Sequence, residues 1–192
     1  MKSVKLLAAL LLFIPILFTS CEKDDIQTQP LEAKTAEILV DAKATGAFSY
    51  FSFASGSTIT TNIQNWDFGL RLVSFIVNSG VSGSGNAGVI VQSGVFDDIK
   101  SAPETGYLQD SANQLAVKDG EWYDYNAVAR SFVPKAGIVF IFRTNDGKFA
   151  KMEVLKADPA DNDGKIVTPP TIPTKIKYTI RYVYQPDGTR NF

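Results

Sequence analysis

The chemistry open to this chain of 192 residues is bounded first by what it lacks, since it contains no histidine and a single cysteine, Cys21. Serine–histidine and cysteine–histidine nucleophile systems, histidine-bound zinc and histidine-ligated haem all require an imidazole and are excluded. One thiol can neither close an intrachain disulfide nor supply a cysteine zinc site. Carboxylates and phenols remain. Asp67, Asp97, Asp98, Asp110, Glu121 and Asp124 could supply the paired acids of a glycoside hydrolase, which are distant in sequence and leave no local signature. The ordinary expectation for each is a solvated loop charge. Gly120-Glu121-Trp122-Tyr123-Asp124-Tyr125 sets three aromatics in a polar context. Two readings of it stand side by side: a flat binding wall, or core packing with Trp122 inside.

Two further motifs carry less than their letters suggest. Gly83-Ser84-Gly85-Asn86-Ala87-Gly88 matches the dinucleotide pattern G-x-G-x-x-G, but the β-branched run Val89-Ile90-Val91 follows where that motif needs a helix N-terminus. A hairpin loop is the better reading. Asp158 to Gly164 has the look of a calcium loop, yet aligning its glycine places Pro159 and Pro170 at the first and twelfth ligand positions. It reads as a surface loop.

The N-terminus is an address. Lys2 and Lys5 flank an apolar run from Leu6 to Phe18, at about 13 residues too short to span a bilayer and suited to a signal-peptide core. Thr19 and Ser20 before Cys21 resemble a lipobox, so residues 1–20 are expected to be removed and Cys21 acylated, with palmitate among the chains it would carry. The alternative is an ordinary cleaved signal that leaves Cys21 as a stray thiol. Glu22-Lys23-Asp24-Asp25 resembles a charged tag that directs lipoproteins to the outer leaflet. Residues 21–35, poor in large apolar side chains, read as a solvated tether, with the domain over 36–192. The formal net charge of −1 becomes more negative when Lys2 and Lys5 are lost, so no basic excess exists for nucleic acid.

The elements that must position any site read as strands. With 45% hydrophobic and 11% aromatic residues the chain can bury one core. Over Lys175–Gln185 the residues Ile176, Tyr178, Ile180, Tyr182 and Tyr184 alternate with polar ones, predicting a strand with one apolar face. Ile138–Leu155 predicts a hairpin turning at Asn145-Asp146-Gly147. A three-residue loop sets Phe142 opposite Ala150 and Phe140 opposite Met152, which makes Met152 a core residue. Other strands are expected at 37–40, 47–53, 66–77, 88–92 and 166–167, while 32–42 is also compatible with a helix. Long loops are expected at 93–121, 125–135 and 157–174. The fold class is all-β, a single antiparallel domain with long loops.

Several of these segments combine into a resemblance. Trp66-Asp67-Phe68-Gly69-Leu70, Asn78-Ser79-Gly80-Val81-Ser82-Gly83, Trp122-Tyr123-x-Tyr125, the run Arg143 to Met152 and the run Arg181 to Phe192 together resemble the HmuY family of surface lipoproteins. The resemblance implies a hand-shaped all-β fold, a lipid anchor in the outer membrane, and haem capture in a cleft between loops for iron acquisition. It also implies a TonB-dependent outer-membrane receptor as partner. Family members hold iron between His or Met side chains, and with residues 1–20 removed this chain offers neither outside the hairpin position of Met152. The haem-binding candidates that remain are Tyr107, Tyr123 and Tyr125, because a tyrosinate can ligate haem iron. A second reading keeps the fold and changes the ligand to a glycan, a peptide or a protein partner; an enzyme is a distant third.

Overall fold

A computed structural model describes residues 31–60 and 64–192. The signal peptide, Cys21 and the first part of the tether lie outside the described residues. Eleven strands are described: β1 (Lys34–Asp41), β2 (Ser49–Ser52), β3 (Ser57–Ile59), β4 (Phe68–Arg71), β5 (Ser74–Val77), β6 (Gly88–Ser93), β7 (Tyr123–Asn126), β8 (Ser131–Pro134), β9 (Ile138–Arg143), β10 (Phe149–Ala160) and β11 (Lys175–Gln185). They form a five-stranded sheet in the order β1-β11-β10-β9-β6, a four-stranded sheet β3-β2-β4-β5 and the separate hairpin β7-β8. Every pairing between them is antiparallel. The chain is therefore all-β, as its alternating pattern requires. Among the described residues no helix is long and apolar enough to cross a membrane.

The β9–β10 hairpin takes the three-residue register, with Ala150 opposite Phe142 and Met152 opposite Phe140. The apolar set thereby lands on one face, because a one-residue slip would send it to the other. That face packs on the four-stranded sheet, and Phe68, Phe75, Phe140, Phe142 and Met152 are all essentially without solvent contact. The segment 32–42 resolves as strand, since Ile38 and Val40 are fully buried opposite Tyr178 and Ile176 of β11.

Several expectations are corrected. Residues 66–77 form two strands, because Leu72 adopts φ +49° and turns the chain without any of the usual turn residues. Residues 47–53 are followed by a paired strand, β3. Residues 125–135, expected as a loop, are most of a hairpin. Residues 166–167 contribute only an isolated bridge from Ile166 to Ala160, and β10 runs on to Ala160 past a bulge between Val154 and Lys156. β11 has two buried faces, since Val183 and Gln185 are buried opposite the Tyr182 side. The 93–121 loop accounts for part of this. Phe96, Ala102 and Tyr107 lie over Val139, Ile141 and Val183, and Lys151 Nζ donates to the carbonyls of Phe96 and Ile99 at 2.9 and 2.7 Å.

Asp67 and Asp110 are also not solvated charges. Both are buried, and each carboxylate accepts two backbone N–H groups that no strand serves. Asp67 takes those of Phe53 and Asn145 at 2.8 and 2.7 Å, and Asp110 those of Val77 and Ala116 at 2.9 and 2.7 Å. Burial pushes Asp67 up to about 6 despite its two donors. An acid held above its ordinary 3.8 binds its proton more tightly in the folded state. The stabilisation from that proton is complete below the unfolded value and is lost as pH rises through about 6. Denaturant unfolding of the wild type and Asp67→Asn from pH 4 to 7 should show the wild type's advantage shrinking by about 2 kcal/mol as pH rises. An advantage that grows with pH over that window contradicts this account of Asp67.

Candidate functional site

The three aromatics of the 120–125 cluster separate in the fold. Trp122 is buried, packed on Tyr178 with ring centroids 5.7 Å apart, and its carbonyl accepts the N–H of Lys135 across the base of the β7–β8 hairpin. Tyr123 and Tyr125, two residues apart, share one face of β7. Phe132, directly opposite Tyr125, shares that face and lies 5.2 Å from both rings. The reading that puts Trp122 in the core holds, whereas the other rings do not make a flat surface, since Phe132 stands at 89° to Tyr123 and at 44° to Tyr125. Trp122 anchors the hairpin in the core, and Tyr123, Tyr125 and Phe132 form an aromatic wall.

This wall bounds a pocket of about 260 Å³ that is open to solvent along one side. Its floor is Ala42, Leu72, Ala157 and Ile176, supplied by the ends of β1, β4, β10 and β11, and its opposite rim is Ile172 and Pro173. Tyr125 is 56% exposed and Ile172 77%, so large apolar side chains stand at the mouth. Among the lining residues Arg130 is the one charged side chain, and it occupies the tip of the hairpin with φ +50°. The lining holds no carboxylate, and its one phenol is Tyr125. An apolar slot with one cation and one phenol fits a flat apolar ligand carrying an acidic edge.

Tyr107 and Tyr123 are placed differently. Tyr107 belongs to the loop that covers the outer face of the five-stranded sheet, whereas Tyr123 packs with the core on the inner face. The sheet stands between them, and they do not face a common point. The Tyr107 hydroxyl donates to the Pro103 carbonyl at 2.9 Å, and burial pushes its pKa up to about 12. The Tyr123 hydroxyl donates to Asp119, and burial together with that bond holds it at about 12. Both phenols keep their protons and are engaged within the protein. Met152 is fully buried between Phe140 and Tyr182 and does not line the pocket beside the β7–β8 hairpin.

Five of the six candidate acids, Asp67 and Asp110 among them, are engaged within the protein. Asp97 is bound to Arg181, which holds its carboxyl below the ordinary range; Asp124 faces Lys135 at 3.6 Å, and Glu121 accepts the Lys118 N–H. The Gly83–Gly88 segment leads into strand β6. Its glycine at 83 is demanded by contact, because a Cβ there would lie 2.1 Å from Asn78 Oδ1. Asp161 closes its own loop by accepting the N–H groups of Asp163 and Lys165. Arg130, Phe132 and Ile172 had no signal in the sequence. The segment 126–130 lacks Gly and Pro, which concealed the hairpin that brings Phe132 to Tyr125.

The division between anchor and wall is measurable. Trp122→Ala is expected to lower stability by about 3–5 kcal/mol, as for a large ring removed from a core. Tyr125→Phe should change it by no more than about 0.5 kcal/mol. Equilibrium denaturation of the two variants distinguishes these roles, and equal effects would contradict them.

Comparison with known proteins agrees with this fold. No curated protein sequence matches the chain. Among solved structures it is similar to the apo HmuY analog of Tannerella forsythia, with a TM-score of 0.50 and 12% identity over 80% of this chain and 98% of the other. It is likewise similar to apo PinO from Porphyromonas gingivitis, with a TM-score of 0.50 and 14% identity over 79% of this chain and 97% of that one. At such identities these likenesses speak to the fold alone. The family model described as HmuY protein matches residues 45–169, which include most of the strands and the whole β7–β8 wall. The chain belongs to the HmuY family.

Proposed function

We propose that this protein is a surface lipoprotein that captures haem or a related tetrapyrrole in the pocket beneath the β7–β8 hairpin. Family membership supports the ligand class. The observation that carries the reading is the pocket itself, an apolar slot walled by Tyr125 and Phe132 with Arg130 at its rim. A planar macrocycle entering edge-first would lie against the Tyr125 ring and bury its apolar edge over Ala157 and Ile176. Arg130 would pair with a carboxylate side chain of the ligand, for which a guanidinium is well shaped.

Axial ligation is where this chain departs from its family. Without histidine, and with Met152 sealed in the core, Tyr125 is the side chain of the pocket able to offer iron an anionic oxygen. Its phenol would give up its proton to solvent as an iron–oxygen bond formed. Tyr107 and Tyr123, with hydroxyls already donating inside the protein, do not compete for this role. The function is binding, not catalysis. Removal of residues 1–20 and acylation of Cys21 would anchor the protein in the outer membrane, facing the exterior, from which it would pass its cargo to a TonB-dependent receptor.

Titration of the purified chain with haemin should give a shifted, saturable Soret band. Tyr125→Phe is expected to change that band's position, Arg130→Ala to weaken binding about tenfold, and Tyr107→Phe to leave the titration unaltered. Absorbance that stays that of free haemin at micromolar protein would overturn haem capture. An unchanged band in Tyr125→Phe would overturn the ligand assignment.

A further inference from the structure

The slot beneath the β7–β8 hairpin is kept open by small side chains. Ala157 on β10 and Ala42, directly after β1, continue the inner face of the five-stranded sheet, which elsewhere carries Ile38, Val40, Met152 and Tyr178. With methyl groups at these two positions the core stops short, and a space of about 260 Å³ remains. Pockets that enclose a drug-sized molecule run to roughly 300–1,000 Å³. A macrocycle therefore enters this one only by an edge, whereas a single unbranched chain would lie inside it.

The polar side chains of the lining are Tyr125, Arg130 and Ser131, all on the hairpin. Its turn does not use the guanidinium. Asn126 Oδ1 closes the turn by accepting the N–H groups of Val128 and Ala129 at 3.1 and 3.0 Å. Arg130 itself holds φ +50°, a conformation that glycine adopts at less cost. Among the described residues it joins no ion pair. The charges beside the floor are matched or turned away. Asp41 and Lys175, next in sequence to Ala42 and Ile176, pair at 3.9 Å, and Asp158, between Ala157 and Pro159, takes the other face of β10 opposite Lys177. The lining is left with one positive charge, at the rim of an otherwise apolar slot.

From this arrangement we infer that the slot binds the ionised form of a straight-chain carboxylic acid, that is, a medium-chain fatty acid. The alkyl chain would lie over Leu72, Ala157 and Ile176, and the carboxylate would pair with Arg130 and accept from the Ser131 and Tyr125 hydroxyls. An alkyl amine would meet Arg130 as a like charge, and an alcohol would leave the guanidinium without a counter-charge. The inference rests on the pocket assigned above and not on haem as its cargo. A surface protein so equipped would take up free fatty acid whether or not it also carries a tetrapyrrole.

The test is equilibrium dialysis of the full chain against hexanoate, octanoate and decanoate, with octanol and octylamine as head-group controls. Decanoate is expected to bind saturably, and affinity to rise about fourfold for each methylene that the slot takes in. Octanoate should bind about tenfold more tightly than octanol or octylamine, a preference lost in Arg130→Gln. Ala42→Leu, which fills the slot from a half-buried position, should weaken decanoate about tenfold. Affinity that is flat along the series overturns the inference, as does octanol binding as tightly as octanoate, decanoate binding unchanged by both substitutions, or no binding at millimolar decanoate. A Soret shift with haemin but no decanoate binding contradicts this inference alone. Decanoate binding without a Soret shift contradicts haem capture alone.

Discussion

Among the described residues the two main sheets share no ladder of hydrogen bonds, and a layer of aromatic rings packs between them. Phe53 packs on Phe142 at 4.9 Å, Phe75 on Phe140 at 5.1 Å, Phe68 on Phe142 at 5.6 Å and Phe51 on Tyr182 at 5.8 Å. Each such side chain is worth about 1.5–3 kcal/mol of burial and adds preferred ring geometries. The layer also fixes register, because only one pairing of β9, β10 and β11 presents Phe140, Phe142, Met152 and Tyr182 to the same side. The floor of the pocket inherits this rigidity. Ile176 follows the same alternation as Tyr178 and Tyr182, and Ala157 returns to that face past the bulge between Val154 and Lys156.

Where the strands end, buried side chains take over the work of the ladder. Asp67 joins the end of β2 to the β9–β10 turn, and Asp110 joins β5 to the loop at Ala116. Asn78 spans the carbonyls of Trp66 and Gln64 and the N–H of Gly85. Long loops are thus tied down at a few well-satisfied points. The β7–β8 hairpin is different: it pairs with neither sheet and is held at its base by Trp122 and by Lys135, whose Nζ donates to the Gly120 carbonyl at 2.6 Å. Tyr123 and Phe132 also pack against the core and β8 lies beside β10, so the hairpin holds Tyr125, Phe132 and Arg130 over the pocket while the mouth stays open.

Much of this was legible in the residues. Alternation in Lys175–Gln185 and the turn chemistry of Asn145-Asp146-Gly147 defined two central strands and the register between β9 and β10. The β4–β5 and β7–β8 hairpins were not legible, because Leu72 and Arg130 adopt positive φ where glycine is usual. The roles of Asp67 and Asp110 depend on which backbone groups the fold leaves unpaired, and no local pattern encodes that. Tyr125 stood out through its neighbours Trp122 and Tyr123. Its pocket, however, is completed by Ile172 and Pro173 from a segment almost fifty residues away. Family resemblance supplied the ligand class, and the absence of histidine directed attention to a phenol.

A ligand seated in the pocket under the β7–β8 hairpin would shield the backbone around it. Hydrogen–deuterium exchange of the purified chain with and without haemin is expected to show slowed exchange confined to the β7–β8 hairpin and to residues 168–176, with β2 and β3 unaffected. Protection centred on the 93–121 loop around Tyr107, with none in the hairpin, would contradict it.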